Sequence, residues 1–176
     1  MKFTATPIPG VVVVEIEPLE DERGFFARGF CAEEFAARDL TVSIVQTNIA
    51  FNAARGTLRG MHYQASPAPE PKLVRCNRGA IFDVAVDLRP DSPAYGRWTG
   101  HELSAANRRA LHIPEGCAHG LLTLEDDTEV YYLMGAAYDP RLARGVRWDD
   151  PAFAIDWPFA PLVISERDAA YPDFAL

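Results

Sequence analysis

The chain alternates short apolar runs with turn residues. Residues 11–17, Val-Val-Val-Val-Glu-Ile-Glu, are β-branched and then alternating, and they lie between Pro9-Gly10 and Pro18, which predicts a first strand. Similar patterns predict strands over 42–48, 58–64, 72–76, 80–88, 98–103, 110–113, 120–124 and 129–134. Asn77-Arg78-Gly79 supplies a turn, so 72–76 and 80–88 are expected to pair as a hairpin. Many short strands with a turn about every ten residues indicate an all-β antiparallel sandwich or jelly-roll barrel. Residues 32–38 have high helix propensity but span barely two turns. They predict one short helix outside the sheets.

Three connecting stretches complete the pattern. Asp21-Glu22-Arg23-Gly24 is a turn composition that leads into Phe25-Phe26, read as entry to the core. The connection 67–71 is rich in proline. From Gly135 onward Trp, Pro and Asp recur without regular periodicity, which predicts a tail that wraps the barrel and lays aromatic rings over it. Ser165-Glu166-Arg167-Asp168 reads as a charged turn with a helix cap at Ser165.

Length and composition narrow the class. The 176 residues fit one domain, 1–176, with enough chain for a sizeable core. A net charge of −8, spread without a basic stripe, argues against a nucleic-acid or anionic-membrane surface. Arg23, Arg28, Arg59, Lys72 and Arg75 still leave room for a local anion site. Three cysteines, Cys31, Cys76 and Cys117, lack metal-like spacing and fit small buried thiols in a reducing compartment. With no apolar run near the ~20 residues a membrane span requires, a cytoplasmic protein is expected.

Chemistry concentrates on a few polar positions in the strands. In a regular strand His62 shares a face with Gly60 and Gln64, and Arg59 is left to be explained. Gln46 and Asn48 share another face. Lys72 lies on one side with Val74 and Cys76, where a snorkelling surface lysine is the ordinary expectation. Residues 114–120, Pro-Glu-Gly-Cys-Ala-His-Gly, have the PxGxxHG form of the second cupin motif, which brings His119 to the mouth of a jelly-roll barrel. Metal-binding cupins carry His-x-His in the first motif, whereas this chain has His62-Tyr63-Gln64, so no metal is expected. His62, Lys72, His119 and a strand tyrosine offer acid, base and cation without an activated nucleophile. That inventory suits proton abstraction beside a carbonyl, with Lys72 or a histidine stabilising the enolate oxygen and Asp168 orienting the base.

Taken together, these motifs resemble the dTDP-4-dehydrorhamnose 3,5-epimerase family over nearly the whole chain. The resemblance rests on residues 21–26 (DERGFF), 45–48 (VQTN), 58–64 (LRGMHYQ), 72–75 (KLVR), 83–89 (DVAVDLR), 113–120 (IPEGCAHG), 138–140 (YDP) and 165–168 (SERD). It implies a homodimeric, all-β cupin-type jelly-roll barrel with short peripheral helices and no cofactor. It also implies inversion at C3 and C5 of a dTDP-linked 4-keto-6-deoxy sugar by proton removal and return. The family's base falls on His62, its orienting carboxylate on Asp168, its opposing acid on Tyr132 and its keto-oxygen lysine on Lys72. Substrate contacts fall on Arg23, Phe25, Gln46, Asn48, Arg59, His119, Tyr138 and Arg167.

Three positions depart from the family pattern. Arg28 stands where relatives have a substrate-binding carboxylate, Leu133 where a lysine often follows the tyrosine, and Ala143 where another glutamate occurs. Two alternatives therefore stay open. One is epimerisation at a single carbon of a related nucleotide-linked 4-keto sugar, and the other is a non-catalytic nucleotide-sugar-binding cupin.

Overall fold

The computed structural model describes residues 1–40 and 43–175. In chain order the elements are β1 (Lys2–Ala5), β2 (Val12–Glu15), β3 (Leu19–Asp21), β4 (Gly24–Phe26), α1 (Ala32–Ala36), β5 (Gln46–Asn52), β6 (Thr57–Gln64) and β7 (Lys72–Arg78). They continue with β8 (Ala80–Asp87), β9 (Trp98–Ser104), β10 (Ala110–Ile113), β11 (Cys117–Thr123), β12 (Thr128–Met134), β13 (Ala143–Gly145), β14 (Val163–Ile164) and α2 (Glu166–Ala169). One sheet has the order β1-β2-β10-β7-β12-β5, and a second has β13-β6-β11-β8-β9 with β14 paired in parallel to β6. β3 and β4 form a separate two-stranded ribbon.

Period-2 patterning explains how the two sheets face each other. Val13, Val74, Cys76, Ile81, Ala85, Leu111, Cys117, Leu121 and Val130 point inward as one apolar layer. The outer face of the first sheet is covered by α1, whose Phe35 packs with Val12, Val14, Leu40, Leu73 and Ala110. The outer face of the second sheet buries Met61, Val84, Val86 and Ala118 beneath the C-terminal segment, including Phe153, Trp157 and Phe174. Trp157 meets Phe82 edge-on, and Phe153 packs on Phe174. The tail therefore lays its rings over the barrel, as its composition predicts.

Several expectations need correction. β7 pairs with β10 and β12, whereas β8 pairs with β9 and β11. The turn at Asn77-Arg78-Gly79 is thus a corner between sheets and closes no hairpin. Gly79, at φ +74°, backs onto Thr128, and a side chain there would collide with it. Phe25 and Phe26 lie on the exposed ribbon, with Phe26 74% exposed, and do not enter the core. The strand expected over 42–48 runs from Gln46 to Asn52, and Val42 lies outside the described residues. α2 adds a second short helix after the expected cap, since Ser165 Oγ accepts from the Asp168 amide at 3.1 Å. Cys76 and Cys117 are buried, and burial pushes their thiols up to about 11 and about 12, while Cys31 is half-buried. Among the described residues no helix is long and apolar enough to cross a membrane.

Candidate active site

The site begins with a break in the alternation of β6. His62 pairs with His119 of β11, but the next pairing joins Arg59 to Leu121, so β6 uses one more residue than its partner between the two points. This bulge returns Arg59 to the same face as His62, where strict alternation would set them on opposite faces. Both side chains line one cavity, while Met61 is fully buried in the outer layer. Gly60 makes the bulge possible. Its φ is +142°, and a Cβ there would lie 2.5 Å from Gly120 Cα. Arg59 is held by Asn52, with Nε donating to Oδ1 at 2.7 Å.

His62 is oriented from the far end of the chain. Its Nε2 lies 2.7 Å from Asp168 Oδ1, and the Gly60 amide donates to Asp168 Oδ2 at 3.2 Å. Burial works to raise the Asp168 pKa, but His62, the Gly60 amide and Ser165 outweigh it and hold the carboxyl below its ordinary value. An ionised carboxylate only accepts hydrogen bonds, so His62 Nε2 is the donor of this bond, and in the neutral imidazole the lone pair is then on Nδ1.

The opposing wall comes from the other sheet. Tyr132 of β12 packs against the interior layer. Burial raises its phenol pKa and nearby Glu70 adds to the rise, while Arg59 acts to lower it. Lys72 is buried at the start of β7 instead of snorkelling outward. Its Nζ forms an ion pair with Glu70 Oε1 at 2.9 Å and donates to the His62 carbonyl at 3.5 Å. Lys72 thus has a fixed place because its charge is matched inside the barrel.

His119 forms a second histidine–carboxyl pair, with Nε2 2.7 Å from Oδ1 of the fully buried Asp83. Gln46 Nε2 donates to Asn48 Oδ1 at 3.0 Å, and Gln46 Oε1 accepts from the Tyr138 amide at 3.2 Å. Gln64 has a framework role. Its Nε2 donates to Ala68 and Ala137 carbonyls, and its Oε1 accepts from the Asp139 amide. The carboxamide in the position of a metal cupin's second histidine therefore ties two backbone segments, at Ala68 and at 137–139, to β6.

Two adjoining cavities, of about 550 and 380 Å³, share His62, Lys72, Tyr132 and Arg167. The first also takes in Arg59, His119 and Asp168. The second takes in Gln46, Asn48, Glu70, Tyr138 and Ala143. Ten of the residues anticipated from sequence thus meet in one cleft. Arg23 and Phe25 do not: Arg23 pairs with Asp21 on the ribbon, and the Phe25 ring lies under Arg108. Arg28 pairs with Glu34 at 2.9 Å, also away from the cleft's lining. Sequence reading missed Glu70, hidden in a proline-rich connection, and Tyr171, whose ring meets His62 edge-on and whose hydroxyl accepts from Arg167 Nε at 3.0 Å. It also left Asp83 without a role. The available signal was an aspartate at an inward-facing position of an apolar strand, which requires a buried partner.

The fold and this cleft define a cupin-type jelly roll whose barrel mouth is lined with titratable side chains. Residues 5–175 match the family model described as dTDP-4-dehydrorhamnose 3,5-epimerase, and the chain belongs to that family. A dTDP-4-dehydrorhamnose 3,5-epimerase from Methanothermobacter thermautotrophicus is 46% identical over 170 residues, covering 95% of this chain and 91% of the relative. A crystal structure of the enzyme of that name from Elizabethkingia anophelis superposes with a TM-score of 0.95 at 35% identity, over 99% of this chain and 96% of the other. A dTDP-6-deoxy-D-glucose-3,5-epimerase from Legionella pneumophila, solved in complex with dTDP-4-keto-L-rhamnose, gives 0.90 at 38% identity, over 97% and 90% of the two chains.

Proposed function

We propose that this protein is an epimerase that inverts C3 and C5 of a dTDP-linked 4-keto-6-deoxy sugar, converting dTDP-4-dehydro-6-deoxyglucose to dTDP-4-dehydrorhamnose. The observation that carries this reading is that His62 and Tyr132 come from opposite sheets and line the same cleft. Inversion requires a base on one face of the ring and an acid on the other, because one group returning its own proton restores the starting configuration. His62 Nδ1 removes the proton α to the ketone while Asp168 stabilises the imidazolium that forms. Lys72 stabilises the negative charge on the enolate oxygen, and Tyr132, protonated at neutral pH, returns a proton from the opposite face. Arg59 and Arg167 offer donors to the diphosphate and sugar, and His119 contacts the same part of the substrate. Gln46, Asn48 and Tyr138 are assigned to the nucleotide end. The reaction as written consumes no cofactor.

The same reading takes the chain 1–176 as one domain and pairs two copies of it in the cytoplasm. β5 is an edge strand that turns Ile49 and Phe51 outward, at 65% and 51% exposed. An uncovered apolar edge strand is a template for pairing with another chain. A second copy along β5 would cover it. Light scattering should report a dimer, and Ile49→Lys should shift it to monomer.

Incubation with dTDP-4-dehydro-6-deoxyglucose in D₂O, followed by proton NMR, tests the chemistry. Deuterium at both C3 and C5 is the expected result. Entry at one carbon reassigns the protein as a mono-epimerase, a change for which Ala143 in the cleft would be the first residue to examine. Tight dTDP binding without exchange at either carbon would make it a binding protein.

A further inference from the structure

Glu70 has one carboxyl oxygen committed and one free. Oε1 holds Lys72 at 2.9 Å, while Oε2 is buried and has no hydrogen-bond partner. The side chain is only 8% exposed, and it lines the cleft with His62, Lys72 and Tyr132. Pro69 and Pro71 flank it, so the backbone around it is restrained in φ and the carboxyl is held in place before substrate arrives. A buried acceptor without a donor is costly, and such a group calls for a partner supplied from elsewhere. We infer that Glu70 is a specificity-determining residue whose Oε2 accepts a hydrogen bond from the substrate hydroxyl on the carbon next to the ketone. The inference rests on the epimerase reading above. If Lys72 meets the keto oxygen, the carboxyl bonded to Lys72 meets a group flanking that ketone. In a 4-keto-6-deoxy sugar the two flanks carry the C3 hydroxyl and the C5 methyl-bearing carbon, and only the hydroxyl can donate.

The test compares dTDP-4-dehydro-6-deoxyglucose with its analogue lacking the C3 hydroxyl, and reads deuterium entry from D₂O at any carbon α to the ketone. A hydrogen bond to a buried carboxylate predicts that the protein favours the hydroxylated sugar by roughly 10–100-fold in kcat/KM. In Glu70→Gln that preference should fall to within a few-fold, with the larger loss on the hydroxylated sugar. Equal turnover of the two sugars by the unaltered protein would overturn the inference without any variant. So would a Glu70→Gln protein that loses the same factor on both sugars, because the carboxyl would then serve only to balance Lys72. Absence of exchange with either sugar would instead remove the epimerase reading, and this inference with it. A matched thermal melt of Glu70→Gln and the unaltered protein separates lost discrimination from lost fold.

Discussion

Asp168 and His62 stand 106 residues apart in sequence and 2.7 Å apart in space. The contact is rigid at both ends. Asp168 is fixed by the Gly60 amide and by the Ser165 cap of its own helix, and Gly60 belongs to the bulge that brings Arg59 to the face of His62.

Replacing Asp168 by Asn keeps the shape but brings an amide that can donate where the carboxylate only accepts. It thereby favours the wrong His62 tautomer and withdraws the charge that stabilises the imidazolium. Turnover should fall by roughly 10²–10⁴, comparable with His62→Ala. Proton NMR of solvent exchange measures the loss, and circular dichroism should report an intact fold.

Tyr132→Phe retains the ring that packs on the interior layer and removes only the proton donor. Product formation should fall by roughly 10²–10⁴. Deuterium washout by His62 on the opposite face should persist, because the base is untouched. As burial raises the Tyr132 pKa, deprotonation of this phenol should not limit the pH–rate profile until above its ordinary value of about 10. An alkaline limb from this group near neutrality would contradict its role as the acid.

Acid stability follows from Asp168. Its carboxyl pKa is lower in the folded chain than in the unfolded one, so the unfolded state takes up a proton first as pH falls. The stabilisation is complete above the unfolded value of about 3.9 and is lost as pH drops through the lower, folded value. Melting temperature should therefore decline below about pH 4. Asp168→Asn should show a shallower decline over that window in a pH series of thermal melts.

Gly60→Ala addresses the bulge. The added methyl would meet Gly120 Cα in a backbone conformation that L side chains rarely adopt. A cost of at least about 1–3 kcal/mol is expected, read as a lower denaturation midpoint. Activity of the folded fraction should fall too, because Arg59 and His62 would lose their common face. A variant with unchanged stability and turnover would show that β6 can hold both residues without the bulge.

The sequence alone determined the strand-rich class, the tail that covers the barrel and the cap at Ser165, because each follows from local patterning over a few residues. The ordered motifs also marked out most of the cleft, including His62, Lys72, His119, Tyr132 and Asp168. Tertiary structure decided what local patterning could not encode. Strict alternation gave no reason for Arg59 to join His62, because the extra residue in β6 is visible only against β11. Composition at Asn77-Arg78-Gly79 signalled a turn, but which sheet the chain entered next depended on the partners of β8. Lys72 reads from sequence as a surface residue, and it is buried because Glu70 lies beside it, since a buried charge is tolerated only where the fold supplies its counter-charge. Periodicity is a property of one strand, whereas register and charge pairing are properties of two, and the chemistry of this cleft rests on the second kind.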